Sequence, residues 1–144
     1  MGKILGLDYG EKRIGMAISD EQKRMAIGVD VLRNVDEKTT LAYLKNFCQK
    51  EEIEKIVVGL PLNLAGQETK KTVEVKKFGI QLEDEVGLPV HFQDERLSSK
   101  EIEKQLKGIK KEKGQIDKQA ARLILQSYLD RLKGGVEASA SLAS

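Results

Sequence analysis

The stretch ILGLDYGEKRIGMAISD, residues 4–20, sets one carboxylate, Asp8, directly after an apolar run and follows it with Gly10, Arg13 and Gly15. From Lys3 to Asp8 it reads as a strand, with Leu5 and Leu7 on one face and Ile4, Gly6 and Asp8 on the other. Asp8 therefore shares its face with a glycine. Arg13 to Ile18 reads as a second strand after a glycine-marked turn. Met25 to Leu32, with Ile27, Val29 and Val31 alternating, reads as a third. Connections this short imply an antiparallel meander.

Beyond the meander the period changes. Asp36 is placed to cap a helix that carries Leu41, Leu44 and Cys48 on one side and ends near Lys50. KIVVGLP, residues 55–61, is a continuously apolar strand of the kind buried on both faces, stopped by Gly59 and Pro61. Val75, Phe78, Leu82 and Val86 recur at helical spacing over about residues 67–86, and PVHFQ at 89–93 gives a fifth strand. Ser98 and Glu101 form a capping-box pattern for a helix with Ile102, Leu106 and Ile109 facing inward, and Gly108 and Gly114 bracket a basic loop. A last helix, from about Asp117 to Leu132, buries Ala121, Ile124, Leu125, Tyr128 and Leu132. The order predicts an α/β fold: a mixed five-stranded sheet, an antiparallel three-strand meander plus two parallel strands, flanked by helices.

The chain of 144 residues suits one domain over residues 1–133. GGVEASASLAS at 134–144 is expected to be a disordered end or a cloning remnant. With 40% hydrophobic and 33% charged residues and no long apolar run, the chain reads as a soluble cytoplasmic protein without membrane span or signal peptide. One cysteine, Cys48, and one histidine, His91, exclude an internal disulfide and a Cys/His zinc site, so any metal is held by oxygen. Residues 100–133 hold ten Lys/Arg against five acids although the whole chain carries only +2. Such asymmetry points to an anionic partner such as nucleic acid, or to a solvated lysine-rich face.

Asp8 ends a strand where open α/β sheets place their ligands. Asp94 and Glu95 follow the fifth strand, and Asp117 opens the final helix, so three acidic sites stand at comparable junctions. Carboxylates ~4 Å apart repel by about 4 kcal/mol at an effective dielectric of 20, so converging acids need a cation between them. Magnesium, or manganese, suits such hard oxygen ligands, and a pair of ions could activate water and stabilise the leaving oxygen of a phosphodiester. Asp8 is then a bridging metal ligand, with Gly6 and Gly10 leaving space for metal and phosphate. Singly, each acid has a simpler reading: Asp117 as an N-cap, Asp94 and Glu95 as loop acids or a Glu95–Arg96 ion pair, Asp20 and Asp30 as turn formers.

Arg13, Arg96, Lys118 and Arg122 are the candidate contacts to a nucleic-acid backbone, against plainer roles as edge and solubility residues. GLPLN at 59–63 reads equally as a phosphate cradle or a tight turn. His91 reads as a strand residue and Cys48 as a core residue. With few aromatic residues and no tryptophan, recognition falls to backbone or duplex shape rather than base stacking.

LDYGEKRIG (7–15), VVGLPLN (57–63), DERLSS (94–99) and IDKQAARLILQSYL (116–129) together resemble the YqgF/RuvX family, described as Holliday-junction-resolvase-like proteins and as pre-16S rRNA nucleases. The resemblance spans residues 3–132 and implies a ribonuclease H-like fold. It also implies a divalent-metal nuclease whose catalytic and metal-binding acids are Asp8, Glu95 and Asp117, with Glu95 favoured over Asp94 because strand alternation points only one of them into the site. The implied substrate is precursor 16S rRNA, matured at its 5′ end during ribosome assembly, possible partners being ribosomal particles. The alternative substrate is a branched DNA junction, cut by a symmetric dimer. A monomer and a homodimer both remain open.

Two other classes compete. A strand ending in Asp-x-Gly before a hairpin also resembles the phosphate loops of actin-like ATPases and sugar kinases, which need a duplicated domain. A non-catalytic RNA-binding assembly factor would keep the fold without the metal.

Overall fold

In the computed structural model, described over residues 2–63, 65–94 and 113–133 with backbone alone at 113–117, five strands form one sheet in the order β3-β2-β1-β4-β5. The strands are β1 (Lys3–Tyr9), β2 (Arg13–Ser19), β3 (Ala26–Arg33), β4 (Ile53–Leu60) and β5 (Val90–Asp94); the helices are α1 (Glu37–Lys50), α2 (Lys70–Val86) and α3 (Lys113–Lys133). β1, β2 and β3 form the expected antiparallel meander, and β1, β4 and β5 run parallel. β1 is the central strand.

Side-chain alternation along β1 divides the core in two. Leu5 and Leu7 join Ile56, Val58, Leu44, Val75, Phe78 and Leu82 on the face covered by α1 and α2. Ile4 joins Ala17, Val57 and the Ala121, Ile124, Leu125, Tyr128 and Leu129 side chains of α3 on the other. β4 is thus apolar on both faces because both are covered, as its unbroken hydrophobic run requires.

Three features depart from the pattern read in the sequence. α2 starts at Lys70 rather than near residue 67, because Thr69 caps it and Asn63 folds the preceding residues into a closed turn. α3 starts at Lys113, so Asp117 lies inside the helix and is no N-cap; Gly114 falls in the first turn, where a helix amide needs no intrahelical carbonyl. Asp30 lies within β3 rather than in a turn. A β-bulge opposite Met16 and Ala17 breaks the alternation there, leaving Ile27 exposed and bringing Asp30 Oδ2 within 3.3 Å of the Tyr43 hydroxyl that donates to it. The expected helix after Ser98, with its Glu101 capping box and Gly108, lies outside the described residues.

Candidate active site

Asp8 stands at the carboxyl edge of the central strand. Its antiparallel partner in β2 is Gly15, and the parallel register Leu7 with Val58, continued by one residue, sets it level with Gly59 of β4. Gly59 in turn pairs with Gln93 of β5. One row across the sheet therefore reads Gly15, Asp8, Gly59, Gln93, all on the α3 face. Neither strand beside Asp8 contributes a side chain at that level.

α3 leads back to this row. A β carbon on Gly6 would stand 2.7 Å from Leu125 Cβ and 3.3 Å from the Ala121 carbonyl oxygen, so the helix rests directly on the β1 backbone. Farther out, Lys118 lies over Gly28 of β3, and Gln126 binds the start of that strand, accepting from Ala26 N at 2.9 Å. Progress toward the carboxyl end of β3 is thus progress toward the N-terminus of α3, so the helix runs antiparallel to β1. From Gly6 beneath Ala121, one step of the pleat leads to Asp8 and one helical turn leads to Asp117, by similar distances. Both positions therefore lie onward from the Gly6–Ala121 contact in the same direction, although 109 residues separate them.

The third acid is bounded by register. Val90 and Phe92 pack into the core under α1 and α2, whereas His91 meets Tyr128 of α3 at 5.8 Å between ring centroids. Asp94 shares the pleat of Val90 and Phe92 and so belongs to the face opposite Asp8. Glu95 and Arg96 lie outside the described residues. Among the described residues no three His, Cys, Asp or Glu side chains converge.

Gln93 is a site residue that sequence reasoning missed. It is only 3% exposed, and among the described residues its Oε1 accepts no hydrogen bond. A buried carbonyl without a donor is costly, and a water or hydroxyl donor would relieve it. Its place in the row of Asp8 means that a carboxylate and an amide oxygen are the hard donors available there. That chemistry suits a hydrated divalent ion, bound through carboxylate and through water.

By the first hairpin, a cavity of about 550 Å³ opens between the turn Gly10–Arg13 and the first turn of α2, lined by Lys70, Lys71 and Glu74. Arg13 lines this cavity at the start of β2. The hairpin is fixed: a β carbon on Gly10 would stand 2.7 Å from the Arg13 carbonyl oxygen, Asn34 Nδ2 donates to the Gly10 carbonyl at 3.0 Å, and Asn34 N donates to the Lys12 carbonyl at 2.9 Å. Thr40 in turn donates to Asn34 Oδ1. Opposite, the buried Thr72 hydroxyl donates to the Pro61 carbonyl and closes a capping box with Thr69. Asn63 Oδ1 accepts from the amides of Ala65 and Gln67, and Asn63 O accepts from Gly66 N. Within GLPLN itself, Asn63 N donates to the Gln67 carbonyl at 3.1 Å and Leu62 bridges to Glu68, which favours the tight-turn reading over a phosphate cradle.

Among the other candidates, Arg122 Nε donates to Gln119 Oε1 at 2.8 Å and lies one turn beyond Lys118 on α3. Cys48 is buried, and burial pushes its thiol up to about 12, as befits a core residue. Asp20 accepts from the Arg24 and Met25 amides and is held below the usual carboxylate range mainly by the Arg24 amide, which fits a turn former. His91 is a half-buried strand residue against Tyr128.

Solved structures of low identity share this architecture. The RuvC resolvase of Thermus thermophilus, solved with a Holliday junction substrate, matches with a TM-score of 0.64 at 12% identity over 99% of this chain and 100% of its own. The yeast mitochondrial Holliday junction resolvase Ydc2 matches with a TM-score of 0.55 at 12% identity over 92% of this chain and 81% of its own. Sheet order and the flanking helices define the class of fold, ribonuclease H-like. Within that class, the model of the family RuvX, described as Holliday junction resolvase, matches residues 2–131. The chain belongs to the RuvX family. A protein of Syntrophomonas wolfei is 46% identical over 132 residues, 89% of this chain and 94% of its own, and one of Koribacter versatilis is 42% identical over 134 residues, 90% and 88%. Both carry the name "Putative pre-16S rRNA nuclease".

Proposed function

We propose that this chain is a divalent-metal-dependent nuclease that hydrolyses a phosphodiester bond of precursor 16S rRNA, maturing its 5′ end during ribosome assembly. It does so as one domain, residues 1–133, in the cytoplasm and on ribosomal particles. The observation that carries this reading is the position of Asp8, at the carboxyl edge between two glycines, with α3 running back over Gly6 toward it. The names of the relatives from Syntrophomonas wolfei and Koribacter versatilis support the substrate.

Asp8, Glu95 and Asp117 would hold magnesium or manganese. When bound, such an ion would supply Lewis acidity toward a water and toward the leaving oxygen. The chain's own groups then have defined tasks. Asp8 presents its carboxylate in a row otherwise free of charged side chains, and Gly15 and Gly59 admit a phosphate beside it. Gln93 offers a fixed acceptor that orients a water or hydroxyl donor in the same row. Arg13, Arg96, Lys118 and Arg122 neutralise the flanking phosphates.

A cleavage assay that offers precursor rRNA and a four-way DNA junction to one preparation, with and without magnesium, tests the proposal. Magnesium-dependent cutting of the rRNA is expected. Cutting of the junction alone would favour the resolvase reading suggested by the family description, and with it a dimer. Cutting of neither would favour a non-catalytic assembly factor.

A further inference from the structure

Of the described cations assigned so far to nucleic-acid binding, Lys118 and Arg122 stand on α3. The cavity by the hairpin lies on the other side of the sheet, against α2, and is lined by Lys12, Arg13, Lys70 and Lys71 with only Glu11 and Glu74 to oppose them. Lys12, Lys70 and Lys71 are exposed and form no ion pair among the described residues. Lys70 and Lys71 are also the first two residues of α2, whose first turn holds no acid. Cations at a helix N-terminus oppose the helix dipole, so this placement does not serve the helix. It does raise the positive potential of the cavity. Both walls are held rigid, the hairpin by Asn34 and the α2 turn by Thr69 and Thr72. No aromatic ring is among the described residues that line the cavity, so contact with bases falls to its charged groups rather than to stacking.

We propose that this cleft is a second anchoring site for nucleic acid, gripping one or two phosphates of a single strand as it leaves the reacting centre on the α2 side. The inference rests on the nuclease reading and adds the path of the strand. With Lys118 and Arg122 on one face and the cleft on the other, the strand crosses the carboxyl edge of the sheet and passes over Asp8. A cavity of this volume admits a nucleotide or two of one strand but no double helix.

The test is fluorescence anisotropy with a labelled single-stranded RNA and an RNA duplex over a range of salt, in an Asp8→Asn background so that nothing is cut. Adding Lys70→Gln and Lys71→Gln should weaken single-strand binding and flatten its log-log salt slope by about 1.4, or about 0.7 per lost phosphate contact. Duplex binding should change less. Both lysines are exposed, and an unchanged melting curve verifies that the variant folds. An unchanged slope with binding otherwise intact would overturn the cleft alone. Failure of the Asp8→Asn protein to bind either RNA would overturn the nuclease reading and the cleft together.

Discussion

Gly6 and Leu125 are in direct backbone-to-side-chain contact: an added β carbon would approach Leu125 Cβ to 2.7 Å. This contact sets the height of α3 above the central strand and, in the proposed centre, the separation of Asp8 from Asp117. Gly6→Ala must lift or tilt the helix. It should cost about 1–3 kcal/mol, the usual range for overpacking, and lower cleavage more than it lowers RNA binding. Chemical denaturation and single-turnover cleavage measure the two effects.

Asp8→Asn, Glu95→Gln and Asp117→Asn should each abolish cleavage, by more than the ~100-fold expected from removing a group that merely supports a metal ligand. Each should melt at or above the wild-type temperature in metal-free buffer, because each relieves repulsion among acids. Added magnesium should raise the melting temperature of the wild type alone. Retained activity in all three variants would remove the proposed centre.

Gln93→Leu tests the orphaned amide. If its oxygen serves only the reaction, replacing it by an apolar group of similar size should leave stability equal or raise it by about 1 kcal/mol. Cleavage should fall. A large loss of stability with normal activity would make Gln93 a structural residue.

Asn34→Ala removes two side-chain hydrogen bonds that hold the hairpin, to the Gly10 carbonyl and from Thr40. A loss of about 1–3 kcal/mol is expected. Since Lys12 and Arg13 ride on that hairpin, binding of single-stranded RNA should weaken without change in its base preference.

Asp36 caps α1, and the Thr39 amide and hydroxyl hold its carboxyl below the ordinary value of 3.8. A lowered folded-state value means that the stabilisation is complete above the unfolded value and fades as pH falls through the folded one. The wild type should therefore lose this contribution only below about pH 4, whereas Asp36→Ser should keep a cap without that pH dependence. Melting curves of both proteins from pH 7 to pH 3 check the sign.

Much of this fold was legible because its signals are local. Period-two alternation in residues 3–8 assigned Leu5 and Leu7 to one core and Gly6 and Asp8 to the other face, and the unbroken run in β4 implied cover on both sides. The bulge in β3 was not legible, because it depends on pairing with Met16 and Ala17 rather than on the β3 sequence. The start of α3 was obscured by Gly114, which reads as a breaker except in a first turn. Asp8 stood out as an acid at a strand end. Gln93 did not, since nothing in its own segment tells that its amide will be sealed in beside Asp8. Lys70 and Lys71 were missed because their cavity joins a hairpin to a helix some 57 residues later. Two lysines after a threonine cap, with no acid in the turn, were the available hint.

The central strand is synthesised early, yet its acid gains the support of α3 only after more than a hundred further residues have been made. Such long-range closure is slow and comes late in folding. The proposed cutting centre is therefore a product of the whole fold, completed only when the last helix closes back over the first strand.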